Sequence, residues 1–297
     1  MLRMRKLTAF LTCRTIFVTF PIESGKEDIR QGGQERRLLG TFRAWAILGA
    51  LVLIMAATVP TASASKGKPV TPGDLRTDVI IDYAHKPKHN PGGGNGGGGG
   101  DPKDNTYYEQ IGSWASGALP VEFRFDRDFA PAGSAAEIAA ALQAWDDATS
   151  ANLATLVVDD TADLVVGDGI NSWTFRLLAG MPQALGVTFI RYLDNDGSGT
   201  PTAGDDFVEM DVSHNTKFKW GIDPDGEGPQ KADAKGRYYD VRNIATHEAG
   251  HALAGLNDLY LDKYSDLTMY GVAGPKETKK VSLEDGDKAG TVANYGP

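Results

Sequence analysis

Two histidines four residues apart with a glutamate after the first constrain this chain more than any other stretch: Thr246-His247-Glu248-Ala249-Gly250-His251-Ala252-Leu253-Ala254-Gly255-Leu256-Asn257-Asp258. On a helix, residues four apart share a face, so His247 and His251 aim one imidazole nitrogen each at a common point. The pattern therefore predicts a helix with Glu248 beside that point. Zinc takes neutral nitrogen or anionic oxygen in a tetrahedral array, and a catalytic site supplies three protein ligands and leaves one position open. A third ligand must follow a turn. Gly255 is the expected stop, because glycine accepts the left-handed conformation of a helix C-cap. Asp258 is the expected third ligand, and Asn257 the weaker donor, since a neutral amide oxygen is a poor zinc ligand beside a carboxylate.

After the motif come Gly255, Asp258 and then Leu267-Thr268-Met269-Tyr270-Gly271. This order resembles the metzincin zinc peptidases, closest to the matrixin-like secreted members, and the resemblance covers most of 107–297. It implies a methionine turn beneath the zinc, which Met269 matches. It also implies an α+β fold: a mixed twisted sheet of about five strands, an early helix, an active-site helix and a small C-terminal subdomain. The chain departs from the family pattern at one place. Glycine and the third ligand are expected three and six residues after the second histidine, where Ala254 and Asn257 stand; Gly255 and Asp258 come one later, as if the turn held one extra residue. The implied activity is zinc-dependent endopeptidase, with a protein or peptide substrate added to the sheet edge. Bound zinc would acidify a water and polarise the substrate carbonyl, and Glu248 would act as general base.

The first 64 residues read as a leader. Arg36, Arg37 and Arg43 precede the apolar run Ala44-Trp45-Ala46-Ile47-Leu48-Gly49-Ala50-Leu51-Val52-Leu53-Ile54-Met55-Ala56-Ala57 and the Ala62-Ser63-Ala64 end. Basic flank, short apolar core and small-residue end are the parts of a secretory signal peptide, with cleavage expected after Ala64. An uncleaved anchor is the alternative, because the run approaches membrane-spanning length. Cys13, the single cysteine, falls in this leader, so no propeptide thiol after Ala64 can block a zinc ion. Without the leader the chain keeps 21 basic and 35 acidic residues, a net of −14. Such a charge repels nucleic acid and anionic membrane surfaces, and a secreted monomer is expected.

Residues 65–106 read as a flexible linker or propeptide, because they are polar and end in a glycine run with nothing to bury. His85 and His89 sit in it, with Pro87 between them opposing a shared helix face. The folded domain is expected over 107–297. Val121-Glu122-Phe123-Arg124-Phe125 alternates in the strand period. Ser134 with Glu137 suggests a capping box opening a helix, with Ile138, Leu142 and Trp145 in its core stripe. Further strands are expected at 153–158, 162–166, 186–193 and 207–212, the last with Val208, Met210 and Val212 on one face and Glu209 and Asp211 on the other. Asp240 is the expected N-cap of the metal helix, and a last helix is expected to open at Leu283-Glu284-Asp285-Gly286-Asp287.

Asp194, Asp196, Ser198 and Asp205 match the spacing of a calcium loop, although a turn rich in Asp and Gly needs no ion. Asp223-Pro224-Asp225-Gly226-Glu227 is a weaker repeat of the theme. His214 reads as a structural histidine. Two rivals to the peptidase remain: a secreted binding module stabilised by zinc or calcium, and a different zinc hydrolase whose third ligand is Glu284.

Overall fold

In the computed structural model, residues 73–84, 98–223 and 238–297 are described. The leader with Cys13, the pair His85 and His89, and Pro224 to Glu227 of the weaker acidic loop lie outside the described residues. The architecture is α+β. A mixed six-stranded sheet runs in the order β1-β7-β8-β6-β4-β5, built from β1 (Asp74–Tyr83), β4 (Val121–Phe125), β5 (Ala154–Val158), β6 (Asn171–Arg176), β7 (Ala184–Asp194) and β8 (Asp206–Asn215). Two-residue pairs complete the strands: β2 (Gly98–Gly99) with β3 (Tyr108–Glu109), and β9 (Trp220–Gly221) with β10 (Tyr239–Asp240). The helices are α1 (Ser134–Asp146), α2 (Val241–Ala249) and α3 (Asp285–Tyr295).

The sheet's pairing follows from its connections. Parallel strands need a crossover, and α1 is the crossover from β4 to its parallel neighbour β5. β7 and β8 are antiparallel, joined by the acidic loop after Asp194. The core lies between the sheet and the packed pair α1 and α2. Phe123, Phe125, Trp173 and Phe175 enter it from the strands, and Ile138, Leu142 and Trp145 from α1. Each such side chain contributes on the order of 1.5–3 kcal/mol by leaving water. Trp145 also donates its indole N–H to the Thr246 carbonyl at 2.8 Å, tying α1 to the helix that carries the histidines.

Several expectations need correction. β1 lies inside the stretch read as linker: Asp74–Tyr83 pairs antiparallel with β7 along its whole length. Its polar composition conceals Val79, Ile80 and Ile81, and a strand supported by ladder pairing needs no strong pattern of its own. Residues 162–166 form no strand. Val165 and Val166 are exposed, and the turn after them exists to bring Gly167 and Gly169 N–H groups onto the Glu209 carboxylate. The strand at that place in the sheet is β6, whose Trp173 and Phe175 alternate with buried Ser172 and Thr174. In β8 the expected shared face holds for Met210 and Val212, both in the core, and fails at Val208, the extra residue of a bulge. Arg191 pairs with Glu209 and Tyr192 with Phe207, so Val208 turns to solvent. Glu209 and Asp211 alternate with core-facing Met210 and Val212 and are buried by their own partners, the Gly167 and Gly169 amides with Arg191 and Ser172 respectively. Ser134 is the first residue of α1 and not its cap; Gly133 holds the cap position, and the Ser134 hydroxyl donates to the Pro131 carbonyl.

Asp211 carries a cost of burial. Its carboxylate is buried, and Ser172 supplies an N–H at 3.1 Å and a hydroxyl at 2.7 Å to one oxygen. Burial outweighs these bonds and pushes the carboxyl from its ordinary 3.8 up to about 7. The unfolded chain ionises first, so stability from this group falls as pH rises from about 4 to 7. Asp211→Asn, which cannot ionise, should therefore gain in melting temperature on its parent across that window and hold a constant difference above it. Melts at intervals of one pH unit check this; a pH-independent difference would refute it.

Candidate metal centre

The site is assembled by a helix, a wide turn and a reversal. α2 starts where Asp240 accepts the Asn243 N–H at 2.8 Å, the expected N-cap. Ile244 faces the core, and His247, Glu248 and His251 are fully buried. The helix then widens into a π-turn over Gly250–Ala254, closed by the Leu256 N–H on the Gly250 carbonyl at 3.0 Å. Gly255 ends it at φ 68°, the left-handed stop expected of it. A π-turn holds one more residue than an α-turn, so the extra residue in the sequence spacing is absorbed there. Asn257 leaves the site, its side chain donating to Glu109 at 3.3 Å, while Asp258 turns inward and is 4% exposed.

Three acceptor atoms converge. His247 Nε2 lies 3.0 Å from Asp258 Oδ1, His251 Nε2 lies 3.5 Å from it, and the two Nε2 atoms are 3.2 Å apart. A tetrahedral ion with bonds near 2.0–2.1 Å needs ligand atoms roughly 3.3 Å apart. The triangle matches that edge length. Each imidazole is fixed from behind: Nδ1–H of His247 donates to the Thr268 carbonyl and Nδ1–H of His251 to the Leu256 carbonyl, both at 2.7 Å. That leaves both Nε2 lone pairs directed inward. Asp258 Oδ1 has no hydrogen-bond partner among the described residues, whereas Oδ2 accepts the Tyr260 hydroxyl at 2.8 Å. Acceptors facing one another in a buried space call for a cation, so these residues fit a zinc ion.

The electrostatics agree with that need. Burial alone would raise the Asp258 carboxyl, but the neighbouring His251 and His247 outweigh it and hold Asp258 ionised, well below the usual carboxylate range. Burial, helped by the Lys280 charge, depresses His247. In His251, burial is outweighed by Asp258 and the net shift is upward. Glu248 stands beside the triangle. Its Oε2 accepts the Thr188 hydroxyl at 2.6 Å, its Oε1 has no partner among the described residues, and burial pushes its carboxyl up to about 8. A carboxyl raised in this way is suited to taking a proton near neutral pH. Gly186 of β7 makes room for it, because a Cβ there would fall on Glu248 Oε1.

Met269 packs at Gly250, one residue before His251. Its sulfur and the Trp145 ring close over Gly250 so tightly that a Cβ on Gly250 would overlap both. The backbone of this turn is carried by Asp287, which accepts the N–H groups of Thr268 at 2.9 Å and Met269 at 3.3 Å. Glu284 is remote from the histidines in role: it caps α3 with Asp287 and belongs to none of the metal-competent groups. Tyr260, Thr188, Gly186, Asp82 and Lys280 join the site without having been singled out by sequence. Of these only Tyr260 carried a signal, as a tyrosine two residues after a ligand.

Asp194, Asp196 and Asp205 also come together, and the Ser198 N–H donates to Asp196 at 2.8 Å. Ser198 donates its hydroxyl to the Thr200 carbonyl at 2.7 Å. Amides of Asn195 and Thr202 occupy the Asp205 carboxylate, and Arg76 from β1 lies 2.6 Å from Asp194 Oδ2, while Asp194 Oδ1 is buried with no partner among the described residues. His214 is a core residue: it accepts the Trp173 indole N–H at 3.1 Å, and burial depresses it to about 3.

Compared with known proteins, the chain matches no protein-family model and no curated protein.

Gly250→Ala should force Met269 or Trp145 aside and destabilise the fold by about 1–3 kcal/mol, as overpacking does. Zinc affinity should fall with it, since His247 and His251 flank that position. Denaturant melts and a zinc titration of parent and variant check both; an unchanged melt would show that Met269 does not pack there.

Proposed function

We propose that this protein is a secreted zinc-dependent endopeptidase of metzincin type. The observation that carries the reading is the convergence of His247 Nε2, His251 Nε2 and Asp258 Oδ1 at tetrahedral spacing, with buried Glu248 beside them. Bound zinc would supply an acidified water and a Lewis acid for the carbonyl. The chain's own groups do the rest. Asp258 and the two carbonyl-anchored imidazoles hold the ion, and Glu248, oriented by Thr188, takes a proton from water and returns it to the departing nitrogen. Tyr260, bonded to Asp258, lies where it orients that carboxylate. An ion held only for structure would have no use for an unpaired buried glutamate, which favours catalysis over a binding module. Met269 packed under Gly250 supports the family resemblance.

The test separates the two roles. Zinc should bind at one per chain in the parent and in Glu248→Ala, with hydrolysis lost from that variant by roughly a thousandfold or more, the loss of a base and of the water it orients. Asp258→Ala should lose zinc and hydrolysis together. Zinc retained by Asp258→Ala would move the third ligand elsewhere, and a parent that holds zinc but cuts nothing would favour the module.

Calcium at Asp194, Asp196 and Asp205 is the second part of the reading, supported by the orphaned Asp194 Oδ1 and opposed by the Arg76 charge. Millimolar calcium should raise the melting temperature of the parent and not of Asp196→Ala; equal responses would remove the ion.

A further inference from the structure

Asp82 in β1 has no explanation in the sheet. A carboxylate on an edge strand belongs in water. This one is fully buried, and neither oxygen has a hydrogen-bond partner among the described residues. The nearby charge that can balance it is Lys280 Nζ at 3.8 Å, also fully buried. Lys280 donates to the Tyr270 carbonyl, and its nitrogen lies 3.3 Å from His247 Nδ1, whose hydrogen is already committed to Thr268. Asp82 groups with His247 and Glu248 within 4.8 Å, but not with His251 and Asp258. The carboxylate thus lies beside His247 and Glu248, with Lys280 as its counter-charge.

The backbone around it is held on both sides. β1 pairs antiparallel with β7, placing Asp82 opposite Gly186. On the other side the Tyr83 N–H donates to the Gly271 carbonyl at 3.2 Å, and the Ala273 N–H donates to the Tyr83 carbonyl at 3.1 Å. The Ile81 carbonyl oxygen lies 3.4 Å from the hydroxyl of Tyr260, the same hydroxyl that reaches Asp258. An extended peptide added to a sheet edge is how such edges take substrates, and here a single bridge at Tyr83 adds a second hold. These bonds hold the Ile81 carbonyl against the hydroxyl that reaches Asp258, and set the next side chain, Asp82, beside Lys280.

We propose that the cleft selects an acidic side chain immediately after the bond to be hydrolysed, that Lys280 is the selecting residue, and that Ile81–Asp82 is the chain's own bond held for cutting. The proposal rests on the peptidase reading above. Water would add its oxygen to the Ile81 carbonyl carbon, and Glu248 would take the water's proton and pass it to the Asp82 nitrogen. The C–N bond then breaks, leaving a carboxylate on Ile81 and an amine on Asp82. An apolar side chain in this pocket would leave a buried ammonium unpaired, which is the repulsive element that specificity requires.

Four full-length chains test this: the parent, Asp82→Leu, Lys280→Met and the double variant. Without metal, each single variant should melt below the parent and the double variant should recover most of the loss, because only the singles leave a buried charge alone. With zinc added, mass spectrometry should find a fragment beginning at position 82 in the parent. That cut should slow about tenfold or more in each single variant and return to within about threefold of the parent in the double, as a restored pocket match demands. Cutting there at the parent's rate in Lys280→Met overturns the selectivity and leaves the peptidase reading standing. Coupling in the melts with no cutting in any zinc-loaded chain overturns the peptidase reading, and the selectivity with it. Strictly additive melts overturn the pocket assignment whatever the activity.

Discussion

The structure is organised around three acceptors that face one another with no proton of their own. Nothing in a folded chain brings two imidazole lone pairs and a carboxylate oxygen to within 3.5 Å unless other bonds force them there. Here those bonds come from several parts of the chain: the Thr268 and Leu256 carbonyls behind the rings, the Tyr260 hydroxyl behind the carboxylate, and Asp287 under the turn that carries Thr268. The C-terminal region supplies the bonds that hold these side chains at a spacing that would accept a cation.

Much of this was legible because it is local. The helix, its Asp240 cap, the Gly255 stop and the shared face of His247 and His251 all depend on neighbours within a turn or two. Asp258 was legible as a residue type, while its geometry was not: the spacing is one residue long, and the compensating π-turn is a backbone choice that no side chain announces. The strands at Val121–Phe125 and Ala184–Asp194 declared themselves by alternation. Asn171–Arg176 was missed in favour of Val165 and Val166, which carry strand propensity but have no partner strand to pair with. Propensity decides little when pairing is non-local.

The larger omission was β1, and the reason is physical. A strand that lies on a ready-made edge takes its register and its stability from the partner, so its own sequence is free to stay polar. What marks Asp74–Tyr83 as part of the domain is the chemistry of single side chains at its two ends. Arg76 meets Asp194 near one end of β7, and Asp82 enters the site at the other. Neither can be read from the local window, because each partner lies more than a hundred residues away.

The ten-residue ladder between β1 and β7 also bears on how this sheet behaves among copies of itself. A long strand with an open row of amides is a template for another chain. With β1 in place, the edge left beyond β7 is occupied, and the opposite rim ends in β5, five residues long. Removal of β1 would expose the full eleven-residue length of β7. Either way a long strand forms this rim, ten residues of β1 or eleven of β7, so the margin most open to another chain lies here and not at β5.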